Sequence, residues 1–189
     1  MWAGLAHLYL IKVQMSESKT SAHVFGGVSL LMGAESSTHA EPPVFRMFAQ
    51  DEKCRLAYAH PGDSGCDLRA HIAHSVLLGP GERTLIPTGL HVKMPMGYEL
   101  QVRPRSGLAL KKGITVLNSP GTIDSGYTGE IGVIVLNTDK NMSFEIKPFD
   151  KIAQAVIQQV FHPHWTSVAV HTDLEVTERG AAGFGSTGV

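Results

Sequence analysis

The stretch Ile114-Thr-Val-Leu117-Asn118-Ser-Pro-Gly-Thr-Ile-Asp-Ser-Gly-Tyr-Thr-Gly-Glu130-Ile131-Gly-Val-Ile-Val-Leu136 decides the fold. Two β-branched apolar runs, Ile114–Leu117 and Ile131–Leu136, flank a segment dense in Ser, Gly, Pro, Asn and Asp. The outer runs suit a pleated strand and the residues between them suit turns, so the stretch reads as a tight hairpin. The same texture extends outward. Val44–Phe48, Thr84–Ile86, Tyr98–Val102 and Ser143–Ile146 read as further strands. Turn signals fall between them at Pro61-Gly62-Asp63, Gly79-Pro80-Gly81, Pro95-Met96-Gly97 and Lys147-Pro148-Phe149-Asp150. Many short strands at such spacing predict an all-β sandwich or barrel, without the strand–helix alternation of a doubly wound sheet. One short helix is predicted over Ser106–Gly113, with Ser106 as its N-cap, lysines in its last turn and a terminal glycine. Ile152–Val160 suits helix or strand, and its β-branched content favours strand.

The chain has 189 residues, enough for one domain with a real core. Its 16 Lys and Arg nearly cancel its 17 Asp and Glu, so no broad basic face offers itself to a nucleic acid. An anionic ligand has to be met by a few placed groups. The two cysteines, Cys54 and Cys66, form no CxxC pair, which favours a reduced, cytoplasmic setting. The ten histidines are scattered, with no metal-ligand spacing. Residues 1–41 differ in texture and read as an N-terminal extension. Their apolar runs, Met1–Ile11 and Val24–Met32, are too short to span a bilayer, and no basic residue precedes the first. Internal methionines at 15 and 32 are compatible with a natural start downstream of Met1.

Four constellations and the tail carry chemistry. Arg105 and Ser106, with Gly107, stand at the start of the predicted helix, where free amides and the positive dipole end favour an anion; an ordinary cap with a solvated Arg is the bland alternative. Asp124 lies between Ile123 and Tyr127, where a carboxylate can act as a general base or simply stabilise a turn. Asn118 offers a donor and an acceptor for a base edge, and Gly132, inside a strand, marks close approach by a ligand or another backbone. Asp67 alternates with Cys66 and Leu68; it can orient a metal-bound water or pair with Arg69. Gln154 is a polar residue inside an apolar run, able to bond a phosphate or to be satisfied internally. The tail Arg179-Gly-Ala-Ala-Gly-Phe184-Gly185-Ser186-Thr187-Gly188 cannot build a core, but it holds the parts needed to close over a phosphorylated, ring-containing ligand.

In chain order, Asp63-Ser-Gly-Cys-Asp67-Leu-Arg-Ala70, Pro104-Arg-Ser-Gly-Leu-Ala109, Gly121-Thr-Ile-Asp-Ser-Gly-Tyr-Thr-Gly-Glu130, Asp150-Lys-Ile-Ala-Gln154 and Arg179–Gly188 resemble the five motifs of the trimeric dUTPase family (deoxyuridine triphosphate nucleotidohydrolases). The likeness spans about residues 42–188. It implies a jelly-roll-like β domain over 42–176, assembled as a homotrimer with shared sites, and a flexible C-terminal arm over 177–189. It also implies hydrolysis of dUTP to dUMP and pyrophosphate with Mg²⁺, and no nucleic-acid or membrane partner. On this likeness Asp124 activates the attacking water, and Asp67 acts on the metal through water. Arg105, Ser106, Gly107 and Gln154 hold phosphates. Arg179, Gly185, Ser186 and Thr187 close over them, and Phe184 stacks on uracil. Asn118 and the backbone near Gly132 read the uracil edge, Thr122 and Ile123 join the substrate-binding set, and Tyr127 packs under the deoxyribose and excludes a 2′-hydroxyl.

Three positions depart from the family's usual pattern: Gly126, where an acidic residue is common; Ala182, where glycine is common; and Cys66, where an apolar or aromatic residue is common. The related dCTP deaminases share an Ile-Asp-x-Gly-aromatic hairpin, but their catalytic glutamate falls where this chain has Ile134, which cannot move a proton. A non-catalytic nucleotide-binding module is the other class that the fold permits.

Overall fold

The computed structural model describes residues 43–174 and 177–183. The N-terminal extension, and Phe184, Gly185, Ser186 and Thr187 of the tail, lie outside the described residues. Ten strands and one α-helix follow in order: β1 Arg46–Ala49, β2 Gly65–Arg69, β3 Val76–Leu78, β4 Arg83–Lys93, β5 Tyr98–Arg103, α1 Ser106–Lys112, β6 Ile114–Val116, β7 Gly121–Asp124, β8 Glu130–Asn137, β9 Phe144–Ile146 and β10 Lys151–Gln159. One sheet runs β1-β4-β8-β6, a second runs β2-β10-β5-β7, and β3-β9 form a short third. Every pairing is antiparallel. The expected all-β jelly roll with one short helix is the fold observed.

Alternation builds the core. β8 turns Ile131, Val133 and Val135 inward and leaves Gly132, Ile134 and Leu136 on its outer face. They meet Ile86, Leu90 and Val92 of β4 and Leu100 and Val102 of β5, all buried. Each large aliphatic side chain removed from water contributes about 1.5–3 kcal/mol. Asn137 ends the β8 row fully buried, where its Nδ2 donates to the carbonyls of Leu78 (3.0 Å) and Met142 (2.9 Å). Its Oδ1 accepts from the Asp139 amide at 2.9 Å, so the polar group costs the core little.

The tight hairpin expected across 114–136 is corrected. β6 does pair with β8, Val116 opposite Val135, but the chain between them leaves the sheet. It crosses to the second sheet as β7, pairs with β5, and returns. The Gly121–Asp124 run alternates buried Gly121 and half-buried Ile123 with exposed Thr122 and Asp124, and it finds a free sheet edge at β5 that local turn propensity cannot reveal. β4 is far longer than Thr84–Ile86, because a register shift between Pro87 and His91, with Gly89 at φ +65°, lets it bend and continue. The helix cap also moves by one residue. Arg105 is extended and accepts the first helical bond from Ala109, so Ser106 lies inside the helix. Gly113 closes the helix at φ +63°, as its glycine predicted.

Candidate active site

Two recesses collect the sequence-predicted residues. The first gathers Asp67, Arg105, Ser106, Gly107 and Gln154, together with Asp63, Ser64 and Gly65. β2 and β10 lie side by side with Gln154 opposite Asp67, and β10 also places Gln154 opposite Arg103 at the end of β5, just before α1. Long-range pairing thus brings three distant segments to one mouth. Arg105 Nε donates to Asp67 Oδ1 at 2.9 Å, Lys151 Nζ to Asp67 Oδ2 at 2.6 Å, and Arg105 Nη1 to the Lys151 carbonyl at 3.2 Å. Asp67 therefore pairs with Arg105 and Lys151 and not with Arg69, whose Nη1 donates to the Phe149 carbonyl at 3.0 Å. Burial resists ionisation of Asp67, but the two cations more than offset it and hold the carboxyl below the ordinary carboxylate range.

Gln154 Nε2 donates to the Pro104 carbonyl at 2.9 Å, which fixes the amide beside the helix start. A side chain at Gly65 would sit 2.7 Å from Gln154 Oε1, so that glycine makes room for it. A Cβ at Gly107 would meet no protein atom, so no contact within the chain requires a glycine there. The helix start also has no side-chain cap, because the guanidinium of Arg105 only donates and cannot accept from the free amides. Backbone amides and the Ser106 hydroxyl there remain open to an anion.

The second recess gathers Asn118, Thr122, Ile123, Asp124, Tyr127 and Gly132 around Leu85, Pro87, Glu130 and Ile134. Asp124, at the end of the edge strand β7, is exposed. The Tyr127 hydroxyl donates to the Glu130 carbonyl at 2.8 Å, laying the ring over Gly129, where a side chain would collide with it at 2.5 Å. Gly132 has a side chain as its neighbour and not a backbone: a Cβ would sit 2.7 Å from Leu85 Cδ1. Leu85, Pro87 and Lys151 were missed from sequence. Lys151 stood inside a quoted motif, whereas Leu85 and Pro87 enter only through the β4–β8 register.

The two recesses share no lining residue. On β5 Arg103 lies at the mouth of the first, whereas Asp124 of the second faces Glu99. Four strand residues separate these levels by roughly 13 Å. One chain therefore does not bring Asp124 to Arg105. Arg179 is exposed and donates from Nε to the Ala182 carbonyl at 3.0 Å within its own turn.

Among the described residues no cluster of three His, Cys, Asp or Glu side chains could cage a metal. With no such cluster among the described residues, a Mg²⁺ ion here would have to be carried mainly by ligand oxygens and water. Among the described residues, no helix is long and apolar enough to cross a membrane.

The fold places the chain among the all-β jelly-roll proteins. Residues 52–188 match the dUTPase family. Deoxyuridine 5′-triphosphate nucleotidohydrolase of Caulobacter vibrioides is 53% identical over 135 residues, covering 70% of this chain and 84% of that protein. The protein of the same name from Chlamydia pneumoniae is 56% identical over 131 residues, covering 69% and 88%. Among solved structures, the dUTPase of Staphylococcus bacteriophage 80alpha with dUPNHPP superimposes with a TM-score of 0.67 at 28% identity, covering 77% of this chain and 99% of that one. The chain belongs to the dUTPase family.

Proposed function

We propose that the chain hydrolyses dUTP to dUMP and pyrophosphate, at sites completed by other copies of itself in a homotrimer. The observation that carries this reading is the division of its motif residues between two recesses that share no lining residue. Neither half suffices: one has the anion-binding groups but not Asp124, and the other has Asp124 without a cation.

When the halves meet, Arg105, Ser106 and the amides around Gly107 hold the phosphates, with Gln154 beside them. Asn118 and the backbone at Gly132 read the uracil edge, and Thr122 and Ile123 line the floor. Tyr127, braced on Glu130, packs under the deoxyribose and leaves no room for a 2′-hydroxyl. Asp124 takes the proton of the water that attacks the α-phosphorus in line with the departing pyrophosphate. A bound Mg²⁺, held through water beside Asp67, would supply neutralisation of the charge that develops on the phosphates. Asp67 would orient the water that holds such an ion, and it aligns Arg105. Residues 177–189 act as an arm on the 42–176 domain. Arg179, Gly185, Ser186 and Thr187 close over the phosphates, and Phe184 stacks on the base. The reaction keeps uracil out of DNA and supplies dUMP, consistent with a cytoplasmic setting.

The test is pyrophosphate release from dUTP, dCTP, dTTP and UTP with Mg²⁺. Turnover of dUTP alone is expected, and comparable release from UTP or dCTP would overturn the assignment. Ammonia release from dCTP is not expected, since Ile134 lines the second recess and has no proton to move.

A further inference from the structure

We propose that His91 and Lys93, on the outer face of β4, are positioning residues for the loop that carries Asp124 and Tyr127, each steadying one of the two; this rests on the dUTP hydrolysis proposed above. Leu90 and Val92 point into the core at 0% and 6% exposure, so alternation turns His91 and Lys93 outward. The loop over residues 125–129 passes from one sheet to the other, so no strand ladder holds it. Its internal ties are the Tyr127 amide donating to the Asp124 carbonyl at 3.0 Å and the Tyr127 hydroxyl donating to the Glu130 carbonyl.

Two loop carbonyls turn instead toward β4. Lys93 Nζ donates to the Ser125 carbonyl at 3.1 Å, and His91 Nδ1 donates to the Thr128 carbonyl at 3.1 Å. A carbonyl only accepts, so the His91 bond requires a hydrogen on Nδ1, which both the neutral tautomer and the cation can carry. The tie therefore needs no particular charge on the ring. The Phe48 ring, 5.8 Å away between centroids, flanks the imidazole. Glu130 Oε1 accepts from the Gly89 amide at 2.7 Å and pins the start of β8 to the same strand. Among the described residues Lys93 forms no salt bridge, so the loop carbonyl is its polar partner.

The two ties divide the work. Ser125 adjoins Asp124, so Lys93 steadies the base; Thr128 adjoins Tyr127, so His91 steadies the sugar platform. Small misplacements of reacting groups are costly, up to about a hundredfold for 1 Å. For Lys93→Met, kcat on dUTP is expected to fall about tenfold with KM within about twofold, and Lys93→Arg to restore kcat. For His91→Phe, KM is expected to rise about tenfold and the preference for dUTP over UTP to shrink as much, with kcat little changed; His91→Gln keeps a donor and recovers KM. Hydrogen exchange at residues 124–129 should speed up in Lys93→Met and His91→Phe, with the thermal midpoint of each near that of the parent protein. Unchanged exchange, or kcat and KM moving together in both variants, would overturn the proposal. Should the parent protein release no pyrophosphate from dUTP, the assignment of activity fails on its own, and exchange at 124–129 alone decides whether the two side chains hold the loop.

Discussion

Arg105 and Asp67 meet at 2.9 Å across 38 residues of sequence, the arginine entering from the end of β5 and the carboxylate from β2. With Lys151 on its other oxygen, Asp67 sits between two cations before any ligand arrives. On the proposed reading, this pairing holds Arg105 in place before phosphate arrives. This preorganisation has a measurable acid dependence.

The carboxyl of Asp67 is held below its ordinary range, so it contributes stability above the unfolded-state value near pH 4 and loses it as pH falls through the lower folded value. Thermal midpoints of the protein should drop in that acid window. In Asp67→Asn the drop should be shallower and stability at neutral pH lower. A pH profile parallel to that of the parent protein would remove Asp67 from the acid response.

Asp124→Asn retains shape and removes the base. We expect kcat for dUTP to fall by about 10²–10⁴, with calorimetric affinity for a non-hydrolysable dUTP analogue kept within a few-fold. Near-normal turnover would refute the role of Asp124.

The proposed division of the site between copies predicts complementation. Arg105→Ala and Asp124→Asn chains, each inactive alone, should regain activity when unfolded together and refolded as a mixture, and light scattering should give the mass of three chains. An active monomer, or a mixture that stays inactive although it forms trimers, would contradict the shared site.

Among the described residues the buried core ends at Val156, so removing residues 179–189 takes no known core side chain. Truncation before Arg179 should leave the thermal midpoint nearly unchanged and very little activity. Full turnover by the truncated protein would exclude the arm from catalysis.

Asn137→Leu would leave the carbonyls of Leu78 and Met142 without the donor they have now. The Leu78 carbonyl is the buried one, and an orphaned buried group costs about 1–3 kcal/mol, so a destabilisation of that order should be seen by urea unfolding at fixed protein concentration.

Much was legible in the residues themselves. The β-branched runs at 114–117 and 131–136 became strands because their alternation has a period of two whatever they pair with. Gly113 ended the helix because few other residues adopt φ +63° without strain. The motif order from Asp63 to Gly188 established the family, since residue types at set spacings are a local property. Only the tertiary structure decided that β7 leaves its apparent hairpin for the second sheet, and that Asp67 takes Arg105 and Lys151 as partners and not Arg69. It alone placed Asp124 and Arg105 in separate recesses. Register and sheet order arise from pairing between segments tens of residues apart, and a linear pattern records which residues can pair but not which edge they find.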